Sequence, residues 1–250
     1  RTATTVINAS LGPLLKSHLG TLSHELAERG LTVPLLLMQA TGGVVPTDDA
    51  VLKPINLVNS GPAGGVIAGK YLSTLLGIPN CICVDMGGTS LDVSLITQGQ
   101  YSASLTARIS DNNVMVPMLD IYCIGAGGGS IAWLDGGRRL KVGPQSAGST
   151  PGPACYGRGG NEPTVTDADV VLGRIDPNFF LGGEILLDKD RAAQAIENKI
   201  AGPLGLDLLF AAEGICRIVD ANMADAVRTM TLRKGYDPRD YALIAFGGAG

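Results

Sequence analysis

The sequence predicts an α/β fold built around a mixed β-sheet. Apolar residues recur at helical spacing near both ends of the chain, along 11–29 and 208–233. Between these helices the period changes to that of strands, with apolar runs at 81–86 and 91–97 joined by a glycine turn. Because hairpins and helices are interleaved without strict strand–helix alternation, we do not expect a plain Rossmann repeat.

The remaining elements follow the same two periods. Further helices are predicted at 61–76, 167–173 and 189–200, and further strands at 33–38, 100–106, 131–134, 138–142 and 241–246. One segment, residues 143–164, is rich in glycine, proline and serine and shows little periodicity. It is long enough that we expect it to be either functional or disordered.

The composition argues against two classes of partner. A net charge of -4 at pH 7, with no Lys/Arg run longer than Arg138-Arg139, argues against nucleic-acid binding. No apolar stretch approaches the roughly twenty residues that a membrane-spanning helix needs. We therefore expect a cytoplasmic protein without a membrane partner.

The cysteines and histidines form no recognisable metal or redox motif. The five cysteines include no C-x-x-C pair, and Cys81 and Cys83 are expected to be buried core thiols. His18 and His24 are six residues apart, a poor spacing for one helix face, so a histidine metal site is not expected. Chemistry is expected to depend on carboxylates, backbone N–H groups and a hard cation such as Mg²⁺.

The sharpest chemical signal is a predicted hairpin over residues 84–93. The register that places its apolar side chains on one face sets Asp85 opposite Asp92. Two facing carboxylates repel each other, so a cation or a set of donors is expected between them. The turn would bring backbone and hydroxyl groups to a ligand: Gly87, Gly88, Thr89 and Ser90.

Phosphate with Mg²⁺ satisfies all of these features, with Asp85 and Asp92 reaching the metal through water. An ordinary tight hairpin with two solvated aspartates is the alternative, since a single Gly-Gly turn is a weak signal. Two further glycine loops favour the phosphate site.

The first of these loops lies between apolar segments at 121–124 and 131–134. It would expose successive N–H groups, as an anion-binding nest requires, whereas a flexible loop would fit poorly there. Its predicted binding residues are Gly125, Gly127, Gly128, Gly129 and Ser130. The second loop follows the strand at 241–246, at a strand end where α/β proteins place ligand sites. Its predicted binding residues are Gly247, Gly248 and Gly250.

Several longer motifs, taken together and in order, resemble the hydantoinase A and 5-oxoprolinase family. The motifs are CVDMGGTSLDV at 83–93, IGAGGGSIA at 124–132, PTVTDA at 163–168, and the runs 146–157 and 235–250. The likeness covers nearly the whole chain. The same family includes subunits of acetone and acetophenone carboxylases.

The resemblance implies an actin-like or sugar-kinase-like ATPase core, of which this chain would be a part. Residues 1–79 would complete a first lobe, and residues 80–250 would form most of a second. The Asp85–Asp92 hairpin would be the second phosphate hairpin and Gly247–Gly250 the start of the adenosine loop, with the first phosphate hairpin upstream of Arg1. The implied cofactors are ATP and Mg²⁺.

The reaction implied by the resemblance is an ATP-dependent opening of a cyclic amide, either a hydantoin or a 5-oxoproline-like lactam, with Asp85 and Asp92 as catalytic residues. A ketone carboxylase subunit and a non-catalytic nucleotide-binding assembly subunit are the alternatives. A hydantoinase B-like partner subunit or domain and an oligomeric assembly are also implied. In one departure, Tyr122-Cys123 stands where many members have His-Thr.

Overall fold

The computed structural model describes residues 1–109 and 112–249. The chain forms two compact units, one of Arg1–Cys83 with Ser94–Ile121 and the other of Val84–Val93 with Tyr122–Gly250. The predicted α/β class with a mixed sheet is confirmed. The predicted lobes, 1–79 and 80–250, stay a prediction. Among the described residues, no helix combines the length and the apolar character needed to cross a lipid bilayer.

The helices and strands have the following bounds. The helices are α1 (Thr2–Glu28), α2 (Thr47–Leu52), α3 (Ser60–Leu76), α4 (Val165–Val171), α5 (Lys189–Ile196), α6 (Gly202–Leu204) and α7 (Leu208–Leu232). The strands are β1 (Leu36–Met38), β2 (Val44–Pro46), β3 (Cys81–Met86), β4 (Leu91–Thr97), β5 (Gln100–Tyr101), β6 (Ala103–Ser104), β7 (Ala107–Ile109), β8 (Asn112–Val114), β9 (Met118–Leu119), β10 (Ile121–Ile124), β11 (Ser130–Leu134), β12 (Leu140–Ser146) and β13 (Ala242–Phe246). A π-helical turn, Glu197–Ala201, joins α5 to α6.

The largest sheet among the described residues has five strands. Four of them lie in the order β10-β4-β3-β13, and β5 pairs with β4. Its two central strands, β3 and β4, carry buried apolar residues such as Ile82, Leu91 and Val93, and they have the bounds that the sequence predicts. Cys81 and Cys83 are buried in β3, so their prediction as core thiols is confirmed.

The first unit is organised around a small apolar core to which the start of α1 contributes. Ile7 packs against a buried cluster that includes Ile55 and Val116. The Asn8 side chain also accepts a hydrogen bond from the Ile55 N–H at 3.3 Å. These contacts explain why α1 begins at Thr2, although helical periodicity in the sequence begins only at Leu11.

The second unit packs α4, α5 and α7 around a core that includes Val170, Ile196 and Ile215. Each helix begins at a side-chain cap, which satisfies N–H groups that lack partners within the helix. Asp207 caps α7 through the N–H groups of Leu209 and Phe210. The predicted helices at 189–200 and 208–233 are therefore present, although the first continues beyond Ile196 as the π-helical turn.

The β11–β12 hairpin confirms the predicted turn at residues 135–137. Leu134 pairs with Leu140, and Asp135 Oδ1 accepts hydrogen bonds from the N–H groups of Gly137 and Arg139. Between residues 100 and 119 the prediction was less accurate. A single strand was predicted over 100–106, but the structure has two short strands there and further short strands after them.

We predict opposite effects of two alanine substitutions in α3. A Cβ added at Gly69 would overlap the Sγ of Cys83, whereas one added at Gly64 would meet only Met38 Cε, at 3.9 Å. Gly69→Ala should lower the free energy of unfolding by about 1–3 kcal/mol through overpacking, and Gly64→Ala should raise it by up to about 1 kcal/mol through helix propensity. Chemical denaturation of the two full-length variants measures both free energies of unfolding. Equal effects of the two substitutions would contradict the close contact between Gly69 and Cys83.

Candidate functional site

The hairpin that the sequence predicts to hold phosphate is formed by the end of β3 and the start of β4. The Gly87 N–H donates to the Ser90 carbonyl at 3.0 Å. This bond fits the predicted register, in which Asp85 lies opposite Asp92. Loss of hydration, together with the negative charge of Asp92, raises the pKa of Asp85 above its ordinary value. The two carboxylates are therefore close enough to repel each other.

The loop at 125–130 is bound directly to the turn of this hairpin. The Gly128 N–H donates to the Gly87 carbonyl at 3.1 Å, and the Gly129 N–H donates to the Gly88 carbonyl at 2.6 Å. The Gly127 N–H donates to the Ser130 hydroxyl at 2.9 Å. These amides are thus used within the protein, which differs from the exposed anion nest that the sequence predicts.

Glycine is required in this loop because backbone meets backbone. A Cβ at Gly127 would lie 2.7 Å from both the Gly87 carbonyl oxygen and the Thr89 nitrogen. At Gly129 it would lie 2.8 Å from the Gly88 carbonyl oxygen. Real Cβ atoms do not approach other heavy atoms so closely. The absence of side chains therefore permits the close approach of the loop to the turn.

The loop after β13 approaches the same hairpin from another position. The Ala249 N–H donates to the Met86 carbonyl at 2.9 Å. Gly247 has a φ of +101°, and a Cβ there would overlap the Met86 carbonyl oxygen and Asp85 Oδ1. Residues 86, 87 and 88 thus each accept a hydrogen bond from one of the two other glycine loops. Gly250, also predicted to bind the nucleotide, lies outside the described residues.

A buried aspartate, which the sequence analysis did not single out, anchors the 143–164 segment. The Asp167 carboxylate accepts hydrogen bonds from the N–H groups of Ala154, Cys155 and Thr164, at 3.2, 2.8 and 2.9 Å. It also accepts from the Thr164 hydroxyl at 2.8 Å. Thr164 and Asp167 form a capping box at the start of α4. The T-x-x-D spacing of this pair is the sequence signal that could have identified it.

The same region connects to the glycine loops through hydroxyl groups. Thr166 donates to the Gly128 carbonyl from both its N–H and its hydroxyl, each at 2.8 Å. The Ser146 hydroxyl lies 3.3 Å from the Thr89 hydroxyl and accepts from the Gly148 N–H at 3.1 Å. Ser146, in the 143–164 segment, is therefore linked to the hairpin turn, and a functional role of the segment stays a prediction.

A cavity of about 680 Å³ opens beside these loops, a volume in the range of small-molecule sites. One part of its wall is mainly backbone, and another is aromatic and charged. The backbone part comprises Gly88, Gly128, Gly129, Gly248 and Ala249. The aromatic and charged part comprises Tyr156, Arg158, Asp169, Arg174 and Phe180. A cavity of about 740 Å³ in the first unit is lined by none of the predicted site residues.

The charged side chains of the cavity wall differ in how they are partnered. Arg174 forms ion pairs with Asp169 and Glu213, at 3.4 and 3.0 Å. Loss of hydration raises the pKa of Asp169, a shift that the ion pair with Arg174 opposes. Arg158 instead lies over the ring of Tyr156, 5.8 Å from its centroid. None of these side chains is among the site residues predicted from the sequence, because contacts between distant residues leave no periodic pattern.

Within the described part of the chain, no group of three or more His, Cys, Asp or Glu residues is placed to hold a metal. Asp85 and Asp92 are two carboxylates beside the glycine loops, one fewer than such a group requires. Two carboxylates suit Mg²⁺, which commonly keeps several waters and takes further oxygen ligands from phosphates. Loss of hydration and the adjacent Asp92 carboxylate raise the pKa of the Cys123 thiol to about 12, so this thiol stays protonated at neutral pH.

Comparison with known proteins establishes the family. The family model for hydantoinase/oxoprolinase matches residues 1–250. The chain belongs to this family. The resemblance drawn from the glycine motifs is thereby confirmed.

Two proteins that are similar to this chain are named for different reactions. The chain is 44% identical over 249 residues to the caprolactamase subunit alpha of Pseudomonas jessenii, covering 100% of this chain and 36% of that protein. It is 42% identical over 253 residues to the acetophenone carboxylase gamma subunit of Aromatoleum aromaticum, covering 100% and 34%. The chain therefore spans about a third of the length of these relatives.

Two solved structures are also similar. The ATP-dependent caprolactamase of Pseudomonas jessenii matches 98% of this chain and 36% of its own, with 43% identity and a TM-score of 0.80. A nucleotide-free structure of acetone carboxylase matches 92% of this chain and 32% of its own, with 36% identity and a TM-score of 0.85. At these identities the likeness supports membership of the same family as well as a shared fold.

We predict that the close approach at Gly127 is essential to the site. Gly127→Ala should lower the free energy of unfolding by about 1–3 kcal/mol, because the added methyl group must displace the hairpin turn. Gly136→Ala is the matched control, since a Cβ there meets no atom within 4 Å. Denaturation of both full-length variants measures the difference. A Gly127→Ala variant as stable as the Gly136→Ala variant would contradict the packing.

Proposed function

We propose that this chain is the nucleotide-binding part of a subunit that uses ATP to open a cyclic amide, a lactam or a hydantoin. The observation that carries the proposal is the meeting of three glycine loops and two repelling carboxylates in one compact unit, beside a cavity of about 680 Å³. The 44% identity to caprolactamase subunit alpha supports a lactam as the substrate class. A cytoplasmic location stays a prediction.

The hairpin turn offers donors for the phosphate groups of a nucleotide. Among the described residues, the N–H groups of Gly88 and Thr89 have no hydrogen-bond acceptor. The Thr89 hydroxyl is a third polar group at the turn. Gly88 and Gly248 both line the cavity of about 680 Å³. In this proposal Gly87, Gly88, Thr89 and Ser90 approach the phosphates directly. Gly127, Gly128, Gly129 and Gly247 contribute by holding this turn.

Asp85 and Asp92 are the residues we propose to hold Mg²⁺, through bound water. When bound, Mg²⁺ supplies positive charge that neutralises phosphate oxygens. The donor set fits this ion, because two hard carboxylate ligands stand near the phosphate-binding turn.

The proposed reaction needs ATP because an amide carbonyl is a poor electrophile. Transfer of the terminal phosphoryl group to the carbonyl oxygen forms an O–P bond and releases ADP. A first water attacks the carbonyl carbon and the ring C–N bond breaks, which gives an amine and an acyl phosphate. A second water hydrolyses the acyl phosphate to a carboxylate and inorganic phosphate. The share of the protein is to position the phosphates and to neutralise their charge.

A ketone carboxylase subunit is the second candidate function, because the acetophenone carboxylase gamma subunit is almost as similar, at 42% identity. A non-catalytic nucleotide-binding assembly subunit is a third. The relatives are named as subunits, which supports a hydantoinase B-like partner and an oligomeric assembly.

We predict that the full-length protein with its partner subunit releases ADP in the presence of a lactam or hydantoin. The assay compares caprolactam, 5-oxoproline, hydantoin, and acetone or acetophenone with bicarbonate, each at saturating ATP. Stimulation by cyclic amides alone supports the hydrolase. Stimulation only by a ketone with bicarbonate would replace it with the carboxylase, and no stimulation by any compound would favour the assembly subunit.

We predict that Asp85→Asn or Asp92→Asn in the full-length enzyme lowers ATP turnover by at least about a hundredfold, equal to roughly 2.7 kcal/mol of transition-state stabilisation. The nucleotide-free variants should be equally stable or more stable, by about 0.2–1 kcal/mol, because one of two repelling charges is removed. Asp225→Asn, an exposed carboxylate outside the cavity, is the control.

The stability effect of Asp85→Asn should depend on pH. Since the pKa of Asp85 is raised in the folded state, part of the stability of the native enzyme is lost as the pH rises through that pKa. The Asn variant escapes this loss, so its advantage should be present at pH 7 and vanish below about pH 4. Variants that melt early yet still hydrolyse ATP would contradict the assignment.

A further inference from the structure

The two arginines that line the cavity of the second unit are not equivalent. The charge of Arg174 is balanced by two carboxylates, Asp169 and Glu213. Among the described residues, no carboxylate forms an ion pair with Arg158, whose guanidinium lies over the ring of Tyr156. Since a guanidinium stays protonated at physiological pH, Arg158 contributes an unbalanced positive charge to the cavity wall.

A positive charge in the cavity wall would stabilise an anionic ligand bound there. The amides of Gly127, Gly128 and Gly129 donate to acceptors within the protein, so this loop offers few donors to a ligand. Asp85 and Asp92 bring negative charge to the same hairpin. Backbone donors at the turn and the proposed Mg²⁺ would offset part of the charge of several phosphate groups, and a side-chain cation would offset more of it.

Arg158 is exposed and follows a part of the segment that is held in place. Its neighbour Tyr156 packs against Phe180, with ring centroids 5.6 Å apart. Tyr156 ends the short 3-10 turn Ala154–Tyr156, whose first two N–H groups donate to the buried carboxylate of Asp167. A planar guanidinium held on an aromatic ring keeps its N–H groups free for phosphate oxygens.

We propose that Arg158 is a phosphate-binding residue of this site, supplied to the nucleotide by the 143–164 segment. This inference rests on the proposed function, because it identifies the anion as the phosphate groups of ATP. It gives the aperiodic segment a defined role, which is to carry the one arginine among the described lining residues that has no carboxylate partner. Arg174, in contrast, is held by its own ion pairs.

The test compares the binding of ATP and of adenosine to the full-length protein. Arg158→Gln removes the charge, Arg158→Lys keeps it, and Arg228→Gln removes an exposed charge outside the cavity. The dissociation constant for each ligand is measured by competition against a fluorescent ATP analogue, at 50 and 300 mM salt. We expect Arg158→Gln to weaken ATP binding at least tenfold at low salt and less at high salt, since salt screens the interaction.

In the same series, adenosine affinity should change less than twofold, Arg158→Lys should recover part of the ATP affinity, and Arg228→Gln should match the native protein. Unchanged ATP affinity in Arg158→Gln, or equal losses for ATP and adenosine, would overturn the role of Arg158 while leaving the nucleotide site in place. A native protein that binds neither ligand would instead refute the proposed function itself.

Discussion

The arrangement of the site depends on close contact between backbone segments. The turn at residues 86–88 presents three successive carbonyl groups, and each accepts a hydrogen bond from a neighbouring glycine loop. Buried backbone groups need such partners, and here the partners can approach only where the Cβ atom is missing, at Gly127, Gly129 and Gly247. The shape of the turn is therefore set by backbone packing on both sides.

A second constraint is the buried carboxyl group of Asp167 in the second unit. Burying a carboxylate is costly unless donors replace its water, and Asp167 receives four hydrogen bonds from three residues. The two bonds from Thr164 come from the start of α4. The bonds from Ala154 and Cys155 come from a segment with little regular structure of its own. The carboxylate thus fixes the segment to the helix. Because Thr166 in the same turn also binds the Gly128 carbonyl, the cavity wall and the glycine loop share one support.

Sequence reasoning succeeded where a pattern is local and failed where the partner is distant. The bounds of β3 and β4 follow from alternating apolar residues and a glycine turn, and this pattern also paired Asp85 with Asp92. The acceptors of the Gly128 and Gly129 amides could not be predicted in this way, since Gly87 and Gly88 lie about 40 residues away in the sequence. The bonds from Ala154 and Cys155 to Asp167 follow no local pattern either, although its T-x-x-D spacing with Thr164 is local. Arg158 itself lies in the aperiodic segment.

The loops of this chain explain how relatives with different names can share one arrangement. The chain is 44% identical to a caprolactamase subunit and 42% identical to an acetophenone carboxylase subunit. Contacts made by backbone groups are indifferent to most side-chain changes, so the glycine loops can persist while the rest of the site varies. Discrimination between a lactam and a ketone demands side chains that differ between relatives. We therefore expect the substrate to be chosen by residues other than the three glycine loops.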